Sequence, residues 1–261
     1  MCELFGVSSS EKVYCNKLLE VFFSHSDEHN HGWGMATFNG NGASIEKEPV
    51  PAYESAYLKT RMSVDICEKT LLAHIRRASR GVIEYRNNHP FLLTDHSGRV
   101  WTMVHNGTIF ESEELEKYRK IQNGSSDSER IALYLVDCIN GAIDAGETMT
   151  EEKRFNIICE GIKTLAPENK VNLLIYDGDI LYVHTNHAGS LHRRQRPGEL
   201  VISTKALTDE EWEAFPLNTV LGYRYGELVL AGQRHDAEFF LTEEKKAQQA
   251  IDYEEKVKGI Q

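Results

Sequence analysis

Polar and apolar positions along this chain form strand-like runs near both ends and helical runs between them. Residues 2–8 read as a short strand entering a core, and residues 11–24 place Tyr14, Leu18, Val21 and Phe22 at helical spacing, which predicts a helix packed on a sheet. The segment HSDEHNHGWG follows as a polar loop. Residues 35–38 predict the next strand, before the turn signal Asn39-Gly40-Asn41-Gly42. Residues 70–75 and 99–105 read as further strands, the second ending at Asn106-Gly107. Ser126 then caps a helix with Glu129 at its third position, a capping box, and Ile131, Leu135 and Cys138 supply the buried stripe. A helix over 151–165 precedes a hairpin in which residues 171–176 and 180–184 flank Asp177-Gly178-Asp179. Strands near 199–203 and 227–231 complete the β content, and the charged tail over 242–258 reads as a solvated helix. With no repeat or linker to divide it, residues 1–261 are expected to form a single α+β domain of layered type.

Composition narrows the class. A chain of 261 residues with 41% hydrophobic content can bury a sizeable core. Its net charge of −11 argues against nucleic acid or an anionic membrane as the main partner, since both are bound through a basic field. The start MCELFGVSSS lacks the basic and apolar regions of a signal peptide, and no apolar run has the length of a membrane span. The five cysteines are scattered, odd in number and without a C-x-x-C pair, unlike a disulfide framework or a cysteine zinc site. A cytoplasmic protein with free thiols is expected.

The candidate chemistry begins at Cys2. Cysteine is small enough for the initiator methionine to be removed before it, and the freed α-amine, with a pKa of about 7.7–8.0, can then serve as base for its own thiol. On position alone, an ordinary buried cysteine is the commoner explanation of the residue. Val104-His105-Asn106-Gly107 ends an apolar strand with a side-chain amide and a backbone N–H, the two donors of an oxyanion hole, although a plain Asn-Gly turn reads the same way. Arg76, at the end of another strand, suits bidentate capture of a carboxylate or merely forms a basic edge. Asp127 at a helix start could hold an ammonium or complement the helix dipole. Arg76 and Asp127 together would grip both ends of an amino acid while the thiol works on its far amide. His25, His29 and His31 with Asp27 and Glu28 look metal-like in spacing, but a solvated loop is the reading adopted, and no metal is assigned. The basic run His192-Arg193-Arg194-Gln195-Arg196 fits either an anionic extension of a substrate or a solvated strand end.

Taken in order, these segments resemble the class II glutamine amidotransferases of the Ntn-hydrolase superfamily, especially the short stand-alone members. The resemblance runs from Met1-Cys2-Glu3-Leu4-Phe5-Gly6 through His31-Gly32-Trp33-Gly34, Ala73 to Gly81, Asn88-His89-Pro90-Phe91, Val104 to Ile109 and Ser126 to Glu129. It ends at Val201 to Thr208 with Trp212. It implies a four-layer αββα sandwich of two stacked, mainly antiparallel sheets. It also implies Cys2 as nucleophile, Asn106 and Gly107 as oxyanion hole, Arg76 as carboxylate binder and Asp127 as α-ammonium binder. Gly32 and Trp33 are implied to lie in a loop that helps to close the site, and His89-Pro90 to form a structural turn. Where larger relatives carry Trp and His in R-W-A-T-H-G, this chain has Arg77 and Arg80, which changes the outer pocket wall. No acceptor-side synthase module is apparent. The reaction implied is hydrolysis of the side-chain amide of glutamine or a γ-glutamyl compound through a Cys2 thioester, with no cofactor. Three versions stay open: a glutaminase delivering ammonia to a separate synthase subunit, a hydrolase of γ-glutamyl conjugates in thiol metabolism, and a non-catalytic binding module that retains Met1.

Overall fold

The computed structural model describes residues 2–40 and 42–255. The chain first forms β1 (Glu3–Tyr14), α1 (Asn16–Ser24), β2 (Trp33–Asn39), β3 (Gly42–Glu48), α2 (Ala56–Met62) and β4 (Cys67–Ile75). Next come β5 (Phe91–Thr94), β6 (Val100–Thr108), α3 (Asp127–Asp144), α4 (Glu151–Leu165), β7 (Lys170–Tyr176) and β8 (Leu181–His184). The last part holds β9 (His192–Arg196), β10 (Glu199–Ser203), β11 (Glu213–Ala214), β12 (Leu221–Arg224), β13 (Glu227–Ala231) and α5 (Glu243–Tyr253).

Two antiparallel sheets stack face to face, ordered β11-β9-β10-β1-β4-β2-β3 and β13-β12-β8-β7-β6-β5. Strand alternation sorts the core into layers. On β1, Phe5 and Val7 point outward onto Leu18, Leu19 and Phe22 of α1, while Leu4 points inward. It meets Leu72 of β4, Leu200 and Ile202 of β10, and Val104 and Leu174 of the opposing sheet. On the far side of that sheet, Val171, Leu173 and Ile175 pack against Ile131 and Leu135 of α3 and Ile158 and Ile162 of α4. The result is the αββα sandwich, an α+β fold with the nucleophile candidate at the head of a central strand. No described helix is long and apolar enough to cross a membrane.

Four local expectations are corrected. The helix expected over 11–24 starts only at Asn16, because β1 continues to Tyr14 and, after a register shift, pairs Tyr14 with Cys67. On α3 the buried stripe runs through Ile131, Leu135 and Ile139, one residue beyond Cys138, as a four-residue helical step requires. The strand expected to end at Asn106-Gly107 continues beyond them. β6 runs straight through both, pairing them with Asn172 and Val171. The tail forms the expected helix and most of α5 is exposed, but it is not solvated all round: Asp252 is buried and pairs with Arg80 on the body of the domain. Residues 256–258 of that expectation, and Asn41 of the turn signal, lie outside the described residues.

Candidate active site

The Cys2 thiol, half-buried just ahead of β1, sits against Arg77, two residues past the end of β4. Its Sγ lies 3.4 Å from both the backbone N and O of Arg77, accepting from the N–H and able to donate to the carbonyl. Asn106 reaches the same end of the molecule from the other sheet. It shares the inward-facing side of β6 with Val104, and its Nδ2 donates to Thr204 Oγ1 over 3.4 Å. Thr204 Oγ1 also accepts from the Leu4 N–H at 2.9 Å, so the Asn106 amide is tied to the strand two residues from Cys2. Asn106 Oδ1 is buried and makes no hydrogen bond within the structure, leaving the amide only lightly held.

Gly107 shows why the strand needs glycine here. A Cβ would lie 1.8 Å from the Lys170 carbonyl oxygen and 2.3 Å from His105 Nε2. His105 fills that space as a brace. Its Nε2–H donates to the Lys170 carbonyl at 3.1 Å and its Nδ1 accepts from Ser128 Oγ at 2.9 Å, a tautomer fixed by the carbonyl's inability to donate. Burial lowers its pKa.

Arg76 ends the strand region of β4 and is only 3% exposed. Its guanidinium donates to the carbonyls of Val82, Arg80 and Gly81, each at 3.0 Å. The arginine expected to bind a carboxylate therefore also builds the loop around that site. Burial pulls its pKa down, while Cys2, Asp127 and Glu84 favour its charge. The loop is pinned from its other end by Asn87, whose Nδ2 donates to the Val82 carbonyl and whose Oδ1 accepts from the Ser125 and Ser126 N–H groups. Asp127 opens α3 behind Ser126, whose Oγ caps the helix by accepting from Glu129 N. The expected capping box is not closed by Glu129, which instead accepts from Asn123 and Gly124. One Asp127 oxygen accepts from the Ile109 N–H at 2.8 Å, which joins α3 to the end of β6.

Gly32 has φ +140°, and a Cβ there would meet the Asn88 amide at 2.1 Å. Its carbonyl accepts from Arg76 N. Trp33 is corrected from loop to strand: it begins β2, is fully buried, and packs against Phe23 and Tyr57. The histidines of the preceding loop have protein partners. His25 Nδ1 lies 2.8 Å from Glu3, which also pairs with Lys205 at 2.7 Å, and His31 Nδ1 accepts from the Ala78 N–H at 2.9 Å. His31 is pushed down to about 4, first by burial and then by Arg76 and Arg77. The basic run in β9 is ion-paired, with Arg193 on Glu213 and Arg194 on Glu199 and Glu210. His89, joined to Pro90 by a cis peptide, is buried with its ring 3.9 Å from that of His74.

Lys170 is the residue that sequence reasoning missed. It starts β7 opposite Thr108 and shares its inward side with Asn172, the register partner of Asn106. Only 2% exposed, it is pushed down to about 8 by burial, and the Cys2 sulfur is the charge that favours its ammonium form. The available signal was the alternation of Lys170, Asn172 and Leu174 with Val171, Leu173 and Ile175. It marks a polar strip along one side of the strand.

The model of the class-II glutamine amidotransferases matches residues 1–200. The chain belongs to that family. Among curated relatives of this amidotransferase domain, the uncharacterized protein MJ1515 of Methanocaldococcus jannaschii is 26% identical, over 90% of the chain and 72% of the relative. YafJ of Escherichia coli is 32% identical, but over only 52% of the chain and 54% of its own length. Solved structures share the fold. The glutamine phosphoribosylpyrophosphate amidotransferase of B. subtilis superposes with a TM-score of 0.66 at 17% identity, over 90% of this chain and 49% of the enzyme. A class-II domain protein of Silicibacter pomeroyi gives 0.59 at 14%, over 90% of this chain and all of that one. Family membership thus assigns this amidotransferase the Ntn fold and, in general terms, hydrolysis of the glutamine side-chain amide.

Proposed function

We propose that Cys2, once Met1 is removed, is the nucleophile of a γ-glutamyl amidohydrolase. The observation that carries this reading is the tie from Asn106 through Thr204 to the Leu4 N–H, two residues along from Cys2, at the end of the sandwich where Cys2 and Asp127 both favour the charge of Arg76. The α-amine of Cys2 takes the thiol proton, and the sulfur forms a bond to the γ-carbonyl carbon. The resulting oxyanion is held by Asn106 Nδ2 and the Gly107 N–H. Collapse breaks the C–N bond, with the α-ammonium returning its proton to the departing ammonia or amine. Water, deprotonated by the same α-amine, then cleaves the thioester to glutamate and free thiol. Arg76 and Asp127 hold the α-carboxylate and α-ammonium of the substrate.

The reacting half is identical in glutamine and in larger γ-glutamyl amides. Space favours keeping both: a cavity of about 890 Å³ beside Arg77, Ala78 and Ser79 can hold a leaving group much larger than ammonia. Ammonia delivery to a separate synthase subunit is the corresponding outcome for glutamine itself.

Mass spectrometry of protein from its host should show Met1 removed and, on incubation with substrate, a γ-glutamyl adduct on Cys2. Cys2→Ala should lose adduct and turnover while unfolding as the wild type does. Amide hydrolysis surviving in Cys2→Ala defeats the proposal, and full retention of Met1 favours a binding module. Relative turnover of glutamine and γ-glutamyl peptides, with and without a synthase partner, separates the substrate classes.

A further inference from the structure

The family match ends at residue 200, yet the cavity beside Arg77 has a wall made much later in the chain. On one side it is lined by Asn30 and His31 and by Arg77, Ala78 and Ser79, the segment whose backbone holds the Cys2 sulfur. On the other side stand Gln249, Ala250 and Tyr253 of α5. The helix is fastened there by unlike contacts. Tyr253 stacks on His31 with centroids 5.8 Å apart, and Gln249 Nε2 donates to Thr108 Oγ1 at 3.0 Å, which in turn lies 3.1 Å from Ser79 Oγ. Asp252 pairs with Arg80 at 2.7 Å with both side chains largely buried, and Lys245 pairs with Glu168 at 2.8 Å. A merely solvated tail helix would not bury a carboxylate against an arginine of the loop after β4, where Asp252 is held by Arg80 and by Gln248 Nε2 at 3.2 Å.

We propose that α5 is the outer wall of the substrate cleft and that Tyr253 and Ala250 set the size of the molecule that reaches Cys2. Its consequence for substrate choice rests on Cys2 being the nucleophile, but access to the thiol can be read without turnover. Tyr253 is a specificity residue in this scheme, not a catalytic one. The neutral, stacked His31 ring is its seat.

The test uses the full chain and compares alkylation of Cys2 by iodoacetamide with alkylation by a bulky fluorescein iodoacetamide, each adduct assigned by peptide mass. Tyr253→Ala should raise the bulky-to-small rate ratio at Cys2 by about tenfold, one decade in rate. Ala250→Phe, which narrows the cleft without removing a contact, should lower that ratio. An unchanged ratio in both variants overturns the proposal, even if amide hydrolysis is confirmed. A changed ratio in protein that hydrolyses no γ-glutamyl amide upholds the wall and defeats only the functional reading. Should Tyr253→Ala lose its fold, Ala250→Phe alone decides: a ratio equal to the wild type's refutes the assignment.

Discussion

Asn106 holds its present contact weakly, through one long hydrogen bond to Thr204, and that looseness suits a group whose best partner is formed during reaction. Replacing it with alanine should lower kcat roughly a hundredfold to a thousandfold, the usual effect of losing one oxyanion donor. KM and the unfolding midpoint should move little; a large loss of stability with normal kcat in the surviving fold would make Asn106 a structural residue. Lys170 makes a different case. Burial lowers its pKa and the Cys2 sulfur favours its ammonium form, so Lys170→Met tests whether that charge acts on the nucleophile. The change removes a cation whose charge the Cys2 sulfur favours, so alkylation of Cys2 should slow. Alkylation at the wild-type rate would separate Lys170 from the nucleophile.

At the scale of elements, the loop after β4 depends on two side chains that face each other across it. Arg76 satisfies three of its carbonyls and Asn87 ties it to the start of α3. Arg76→Ala should therefore raise KM for a γ-glutamyl substrate and also expose the loop to limited proteolysis. Arg76→Lys should restore neither, because one ammonium cannot reproduce a planar fork donating to three acceptors. If lysine rescues KM, the arginine serves only as a charge. Such loop-building was not legible in the sequence, where Arg76 showed its charge but not its carbonyl partners. β6 was misread for a related reason. Asn-Gly has strong turn chemistry locally, and only the approach of the Lys170 carbonyl to Gly107 shows that the missing Cβ serves a strand pairing. By contrast, α4 and β10 were read with the bounds they have, since their periodicity is local and uninterrupted.

Across the whole molecule, what could be read early was the ordered set of short motifs. Cys2, Arg76, Asn106 and Asp127 lie on different elements, yet their order along the chain matched one family and so one layered fold. What could not be read was anything created by stacking one sheet on another or by the tail returning to the domain: the inward Lys170, the Thr204 link and the docking of α5. Stacking also encloses histidines, and this has a consequence for acid stability. His31 is held down to about 4 and His184 to about 3, and His74 and His89 are lowered as well, in each case chiefly by burial. Each is neutral in the fold and would take a proton near 6.5 once unfolded. Between those values the unfolded chain binds more protons. Stability from these groups is therefore complete above about 6.5 and lost as pH falls toward about 4. Urea midpoints measured down this range should decline well before carboxylate titration dominates. His89→Phe, which keeps a ring between His74 and Phe91 but removes the titrating group, should flatten part of that decline. A midpoint independent of pH across this window, or an unchanged slope in His89→Phe, would show that burial of these rings does not govern the acid limb.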